Sequence, residues 1–178
     1  MTLAEEIKSI PVDSMVATDE VAKQFLAKLD EGGYSRDEDP IHHFGVYFAL
    51  YNPKDKTVFI THHKKSGLWL FPGGHLDKGE LTTETLIREM REELGVEYKH
   101  PVGQKPFLLT ITRMDAPNYK CKTHFDVWYA VSTDGSDFKI DPSEFHDTKW
   151  LPIDEARKLI VDEQNLRALD KIEKMLSV

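Results

Sequence analysis

Apolar residues recur along the first half of the chain at two spacings, one typical of helices and one typical of strands. Steps of three and four predict a helix over 19–30, which the paired Gly32 and Gly33 end. The segments 42–51 and 57–63 are apolar at most positions, as in strands that are covered on both faces, and a polar turn separates them. The apolar stripe of the helix consists of Val21, Phe25, Leu26 and Leu29.

The middle of the chain contains the helix with the clearest pattern. Pro72-Gly73-Gly74 predicts a tight turn before it. The segment 82–94 predicts the helix itself, with Thr82 as its N-cap and Gly95 just beyond its last residue. One side of this helix is apolar and is expected to pack on a sheet. The side chains of that stripe are Leu86, Ile87, Met90 and Leu94.

The remaining segments predict more strands and a helical end. Strands are expected at 106–113, 122–132 and 148–151, and a helical region begins at Pro152. A closing helix is indicated by the spacing of Leu166, Leu169, Ile172 and Leu176.

This order of elements predicts an α/β fold, with a mixed sheet covered by helices on both faces. We expect a single domain over 1–178, with a helical N-terminal extension at 1–40, a core at 41–160 and a C-terminal helix at 161–178. The extension either caps the sheet or forms a contact between two copies in a homodimer.

Composition and charge narrow the classes of function. The 178 residues contain 31 acidic and 23 basic side chains, a formal net charge of −8, which argues against a stable nucleic-acid complex. No apolar run approaches the roughly 18–20 residues of a membrane helix, and the N-terminus does not resemble a secretory signal. The single Cys121 excludes an internal disulfide and a cysteine-rich zinc site, so a reducing, cytoplasmic location is expected.

Three glutamates share one face of the helix over 82–94. At about 100° per residue, Glu92 and Glu93 lie about 60° and 40° to either side of Glu89. Stacked like charges destabilise a helix by a few tenths of a kcal/mol per pair, and this face could simply be solvated and held by salt bridges. A hard divalent cation, Mg²⁺ or Mn²⁺, is the other explanation, because such ions prefer carboxylate and carbonyl oxygen.

The spacing within 74–96 favours the metal. The fixed positions are Gly74, Glu80, Arg88, Glu89, Glu92, Glu93 and Gly95. At about one in fifteen each, seven such residues would match by chance on the order of once per million sequences. The segment resembles the complete box of the Nudix hydrolases, with Met90 at a position where the family more often has Leu, Ile or Val. The order of strands around it is similar to the Nudix α/β/α sandwich, with the box as its catalytic loop and helix.

The resemblance implies a pyrophosphohydrolase that uses Mg²⁺ or Mn²⁺ and acts on a small nucleoside diphosphate linked to another moiety. By this likeness, the metal ligands are Glu89, Glu92, Glu93 and the backbone carbonyl of Gly74. Arg88 would brace the glutamates by pairing, and Glu80 would be a supporting carboxylate. The general base would be Glu92, Glu93 or a later glutamate, for which Glu144 is the best match.

Several other side chains are candidates for substrate contacts. His124 and Asp126 alternate onto one strand face and either line the site or are ordinary strand residues, and His75 directly follows the glycine turn. Trp69, Phe71 and Tyr119 either stack on a base or pack in the core.

Two histidine pairs suggest zinc, but their spacing argues against it. In His42-His43 and His62-His63, neighbouring side chains point to opposite faces of a strand, so neither pair supplies two ligands to one ion. Clustering across strands stays open, but a zinc site is not expected.

The substrate and two other classes of function stay open. Residues about 16 and 17 positions beyond the box mark ADP-ribose and dinucleoside polyphosphate enzymes, and Thr112 and Arg113 stand there instead of Pro and Tyr. A nucleotide sugar or a (d)NTP is therefore equally open. A non-catalytic nucleotide-sensing module commonly lacks a box glutamate, and all are present here. An isoprenyl-diphosphate isomerase needs a cysteine ahead of the box, whereas Cys121 follows it.

Overall fold

The computed structural model describes residues 1–10, 16–114 and 120–177. Among these residues no helix is long and apolar enough to cross a membrane. The helices are α1 Leu3–Lys8, α2 Asp19–Glu31, α3 Thr82–Leu94, α4 Ile153–Leu159 and α5 Glu163–Leu176. The strands are β1 His42–Asn52, β2 Thr57–His63, β3 Trp69–Leu70, β4 Gly73–His75, β5 Leu108–Arg113, β6 Thr123–Ser132 and β7 Phe145–Pro152.

The chain forms two compact units, and both β1 and α3 contribute residues to each. The first unit consists of Met1–Tyr47, Gly73–Arg88 and Lys99–Tyr129. Its strands follow the order β1-β6-β5, and β4 also pairs with β1. β5 and β6 are antiparallel, with Leu108 opposite Trp128, and β4 is antiparallel to β1, with His75 opposite Gly45.

Helix α2 packs an aromatic residue into the first unit and buries a charge beside it. The Phe25 ring meets those of Phe44 and Phe125 edge to face, at centroid distances of 5.7 and 5.4 Å. The prediction that Leu26 belongs to the buried stripe of α2 is wrong, because its side chain is 48% exposed. The charged Lys28 is instead only 3% exposed. The reason is an ion pair: Lys28 Nζ lies 2.7 Å from Asp39 Oδ2, and this partner allows the amine to be buried.

The second unit consists of Phe48–Pro72, Glu89–Tyr98 and Ala130–Val178. Its strands follow the order β3-β2-β1, and β7 pairs along the whole length of β2. Helix α5 buries Ala168, Leu169 and Ile172. It also buries Asn165, whose side-chain oxygen accepts a 2.8 Å hydrogen bond from the backbone N–H of Phe71.

Most predicted elements are confirmed within a few residues, and the α/β fold class is confirmed. The prediction of a tight turn at Pro72-Gly73-Gly74 is wrong, because Gly73 and Gly74 lie in the extended strand β4. A Cβ atom on Gly73 would lie 2.4 Å from the carbonyl oxygen of Val46, so glycine is needed for close packing on β1. The pattern did not reveal α1, and the expected single domain stays a prediction.

Candidate active site

Helix α3 contains the three glutamates of the predicted metal site, and their side chains differ in exposure. Glu89 and Glu93 are 8% and 6% exposed, and Glu92 is exposed. Leu86, Met90 and Leu94 are buried along the apolar stripe. The three carboxylates lie within about one helical turn and offer only oxygen as donor atoms, and two of them are buried.

The C-terminal end of α3 is fixed directly after the glutamates. Gly95 has a φ of 65°, and its N–H donates to Arg91, while the N–H of Val96 donates to the carbonyl oxygen of Met90 at 3.1 Å. This is a glycine-dependent helix end in the left-handed region. The position of the last glutamate therefore does not depend on a frayed final turn.

Arg88 and Glu80 form the charged brace at the start of the box. Arg88 Nε donates to Glu80 Oε1 at 2.9 Å, and an Nη of Arg88 donates to Glu80 Oε2 at 3.0 Å. The same arginine donates at 2.9 Å to the backbone carbonyl oxygen of His75. Burial alone would raise the pKa of Glu80, but hydrogen bonds from Arg88, Thr85 and the N–H of Asp77 hold that pKa below its ordinary value. The fork fixes the loop that precedes α3.

The N-terminus of α3 receives a carboxylate that sequence reasoning missed. Oε2 of the buried Glu6, on α1, accepts a 2.7 Å hydrogen bond from the backbone N–H of Thr82, and Oε1 lies 3.3 Å from the Thr83 hydroxyl. Thr82 is the first helical residue rather than the expected N-cap, and Glu84 accepts from the N–H of Leu81. A separation of 76 residues leaves no local signal for this contact.

His75 and His124 lie side by side, whereas Asp126 is engaged elsewhere. The two Nε2 atoms are 3.2 Å apart. The fully buried Asp126 accepts hydrogen bonds through Oδ2 from the hydroxyls of Thr110 and Thr112, and Thr110 in turn accepts one from Trp128 Nε1 at 2.8 Å. These contacts tie β5 to β6.

The aromatic candidates differ in exposure. The half-buried Trp69 stacks on His62, with centroids 5.0 Å apart and planes 12° apart, and Lys149 Nζ lies 4.8 Å from the Trp69 ring centroid. Phe71 is 1% exposed, so its ring packs in the core and offers no face to a base in this conformation. Tyr119 lies outside the described residues.

Glu144 lies on a loop that is connected to the end of α3. The Asp141 N–H donates to the Glu93 carbonyl oxygen at 2.9 Å, and the Glu144 N–H donates to the Asp141 carbonyl oxygen at 3.3 Å. Glu144 Oε2 is 3.8 Å from His63 Nε2. Burial lowers the pKa of His63, against the opposing effect of Glu144, so this imidazole is neutral at pH 7.

The family and the fold are shown by likeness to known proteins. The NUDIX domain family model matches residues 41–171. The chain is 30% identical to an RNA pyrophosphohydrolase of Erythrobacter litoralis over 113 residues, which cover 55% of this chain and 67% of that protein. It is 33% identical to the asymmetrical bis(5'-nucleosyl)-tetraphosphatase of Rattus norvegicus over 92 residues, 51% of this chain and 60% of that protein.

A solved structure extends the likeness in fold. The NUDIX domain of Shewanella oneidensis NrtR, crystallised with ADP ribose, superposes with a TM-score of 0.62 over 90% of this chain and 99% of that one. The two chains are 18% identical, so the comparison concerns the fold alone. The predicted fold class is confirmed by this match.

Proposed function

This chain belongs to the Nudix family, and from that premise we propose that it is a metal-dependent pyrophosphohydrolase. The bond cleaved is a phosphoanhydride in a small molecule that contains a nucleoside diphosphate linked to another moiety. The observation that carries the proposal is the complete box, with Glu89, Glu92 and Glu93 on one face of α3 and Arg88 forked onto Glu80.

The donor chemistry of α3 fits the proposed ion. Glu89, Glu92 and Glu93 offer only carboxylate oxygen, and the resemblance adds the carbonyl oxygen of Gly74. Such a set suits Mg²⁺ or Mn²⁺ rather than a soft metal. Bound there, the ion would neutralise the polyphosphate and lower the pKa of the attacking water.

The protein's own contribution is to orient the reactants and accept a proton. Glu92, Glu93 and Glu144 are the proposed candidates for the general base. Glu144 is supported by the two successive backbone hydrogen bonds through Asp141, which link its loop to Glu93. The Arg88 fork would keep the loop before α3 in place while the substrate binds, and Arg88 itself would not touch the substrate.

The proposed base-stacking residue is Trp69, since it is half-buried whereas Phe71 is fully buried. We assign no substrate contact to His75, His124 or Asp126, because each faces protein partners in this structure. The relatives named above are an RNA pyrophosphohydrolase and a bis(5'-nucleosyl)-tetraphosphatase, and the NrtR domain was crystallised with ADP ribose. RNA, dinucleoside tetraphosphates and ADP-ribose are therefore the compounds to test first. A cytoplasmic location remains part of the proposal, and a homodimer contact remains one of the two alternatives for the N-terminal extension.

A substrate panel with matched glutamate variants tests the proposal. The purified chain with Mg²⁺ should hydrolyse at least one compound among ADP-ribose, nucleotide sugars, dinucleoside polyphosphates, (d)NTPs and RNA. Glu92→Gln and Glu93→Gln should each lower kcat by about 10²-fold or more. Glu97→Gln is the control, because Glu97 is exposed and lies just past the helix.

Two results would contradict the assignment. Unchanged rates in Glu92→Gln and Glu93→Gln would show that α3 does not hold the catalytic metal. Tight binding of a nucleotide without turnover of any compound in the panel would identify a sensing module instead.

A further inference from the structure

Three histidines and the only cysteine of the chain meet within the first unit. One potential ligand atom from each of His43, His75, Cys121 and His124 lies within 4.8 Å of all the others. His43 is fully buried, His124 is 7% exposed and Cys121 is 9% exposed. None of these four side chains is among the ligands proposed for the catalytic metal.

The strand register explains how residues far apart in sequence come together. His75 on β4 lies opposite Gly45 on β1, and His43 is two residues from Gly45 on the same face of that strand. Diagonal neighbours of this kind lie about 7–8 Å apart at the backbone, within reach of imidazole rings. The ring centroids of His43 and His75 are 4.8 Å apart, and those of His43 and His124 are 4.9 Å apart.

The buried His43 has one nitrogen engaged and one available. Its Nδ1 lies 2.9 Å from the backbone carbonyl oxygen of Asp39 and therefore carries the proton. The Nε2 atom, left with its lone pair, is buried and has no hydrogen-bond partner among the described residues. A ring N–H donated to a backbone carbonyl, with the other nitrogen directed inward, is the usual outer-shell arrangement of a metal-binding histidine.

The loop that supplies this carbonyl is itself held rigidly. The Asp39 carboxylate accepts hydrogen bonds from Lys28 Nζ and from the backbone N–H groups of Ile41 and His42. The orientation of the His43 ring is therefore fixed before any ion binds, which lowers the entropic cost of binding.

The spacing of the donor atoms is close to that of a tetrahedral zinc site. With Zn–N bonds of about 2.0–2.1 Å, two ligand nitrogens are about 3.3–3.4 Å apart. The Nε2 atoms of His75 and His124 are already 3.2 Å apart. Since no pair exceeds 4.8 Å, small rotations of the side chains would bring the set to bonding distance.

We propose that His43, His75, His124 and Cys121 bind one Zn²⁺ ion in a closed four-coordinate site. Three imidazoles and a thiolate suit Zn²⁺ and related borderline ions, whereas Mg²⁺ prefers oxygen. Cys121 would bind as the thiolate, with release of its proton. The ion would join β1, β4 and the start of β6, where the N–H groups of Lys122 and Thr123 already donate to Ile41.

Metal titration of the full chain tests the site. After chelation and dialysis, the wild-type chain should take up one equivalent of Zn²⁺ in the presence of excess Mg²⁺. Co²⁺ in its place should show visible bands of a tetrahedral site and a near-ultraviolet thiolate-to-cobalt band. Zn²⁺ should also raise the Tm and slow the reaction of Cys121 with a thiol reagent.

Paired variants locate the ion. Cys121→Ser is nearly isosteric and should abolish the thiolate band and weaken Zn²⁺ binding by more than about 100-fold, since outer-shell changes alone cost 10–100-fold. His43→Ala should weaken it similarly. His42→Ala is the matched control, because that exposed neighbour lies on the opposite face of β1.

The competing outcomes are distinct from failure of the proposed hydrolysis. Zn²⁺ uptake that is unaffected by Cys121→Ser but lost in Glu93→Gln would place the ion on α3 and overturn the proposal. Absence of a stoichiometric, Tm-raising Zn²⁺ event in the wild-type chain would also overturn it, and would leave His75 and His124 as a hydrogen-bonded pair.

Discussion

Substitution of Glu6 tests whether the N-terminal extension stabilises the helix that bears the glutamates. The buried carboxylate accepts from the N–H of Thr82 at 2.7 Å and lies 3.3 Å from the hydroxyl of Thr83. Thr82 is itself fully buried. In Glu6→Ala its N–H would lose this partner, in a place that water does not easily reach.

The expected magnitude follows from these contacts. A hydrogen bond to a charged group contributes about 1.5–3 kcal/mol to stability. A negative charge at a helix N-terminus contributes a further amount of about 0.3–1 kcal/mol. Glu6→Ala should therefore lower the free energy of unfolding by about 2–3 kcal/mol. Glu6→Gln keeps an oxygen acceptor but loses the charge, so its loss should be about 1 kcal/mol.

Urea unfolding followed by circular dichroism measures both variants against a control. For a chain of this size, 2–3 kcal/mol corresponds to a Tm lower by about 4–12 °C. Glu31→Ala is the control, because Glu31 is an exposed glutamate of the same extension. If the free energies of unfolding of Glu6→Ala and Glu31→Ala differed by no more than about 0.5 kcal/mol, the contact of Glu6 with Thr82 would not stabilise α3 and the reasoning would be refuted.

Two further predictions concern charged pairs of the first unit. Burial raises the pKa of Asp39, but hydrogen bonds from Lys28 and two backbone N–H groups outweigh it and lower the pKa from 3.8 to about 2. The stabilising contribution of the Lys28–Asp39 pair is therefore present above about pH 4 and is lost as the pH falls toward 2. Over this range the free energy of unfolding of the wild type should fall by up to about 2 kcal/mol. The Asp39→Asn variant should not show this fall. In Arg88→Lys, the lysine cannot form the two-pronged contact with Glu80, so kcat/KM should fall by about 10–100-fold. An unchanged kcat/KM would show that this brace is dispensable.

Local patterns predicted the parts of the fold that depend on neighbours in sequence. The bounds of α3 follow from a stripe of Leu86, Met90 and Leu94 within the helix and from Gly95 directly after it. The alternation rule also correctly separated His42, which is exposed, from the buried His43. These features need no knowledge of the rest of the chain.

Contacts between distant segments could not be read in the same way. The histidine cluster depends on the register that places His75 opposite Gly45, and a strand pattern does not specify its partner strand. Lys28 is buried although its charge favours exposure, because Asp39 compensates that charge, and the apolar Leu26 is exposed. In each case the decisive partner lies on another element, so periodicity alone contains no signal for it.

The two proposed ion sites differ in donor chemistry, and this difference permits a final test that uses one sample. Glu89, Glu92 and Glu93 offer oxygen, whereas His43 and Cys121 offer nitrogen and sulfur, so Mg²⁺ and Zn²⁺ should separate between the two sets. Treatment with EDTA should abolish hydrolysis and lower the Tm together. Adding Mg²⁺ alone should then restore hydrolysis while the Tm stays below that of the Zn²⁺-loaded chain. Full recovery of the Tm with Mg²⁺ alone would mean that the oxygen ligands of α3 account for every effect of metal on this protein.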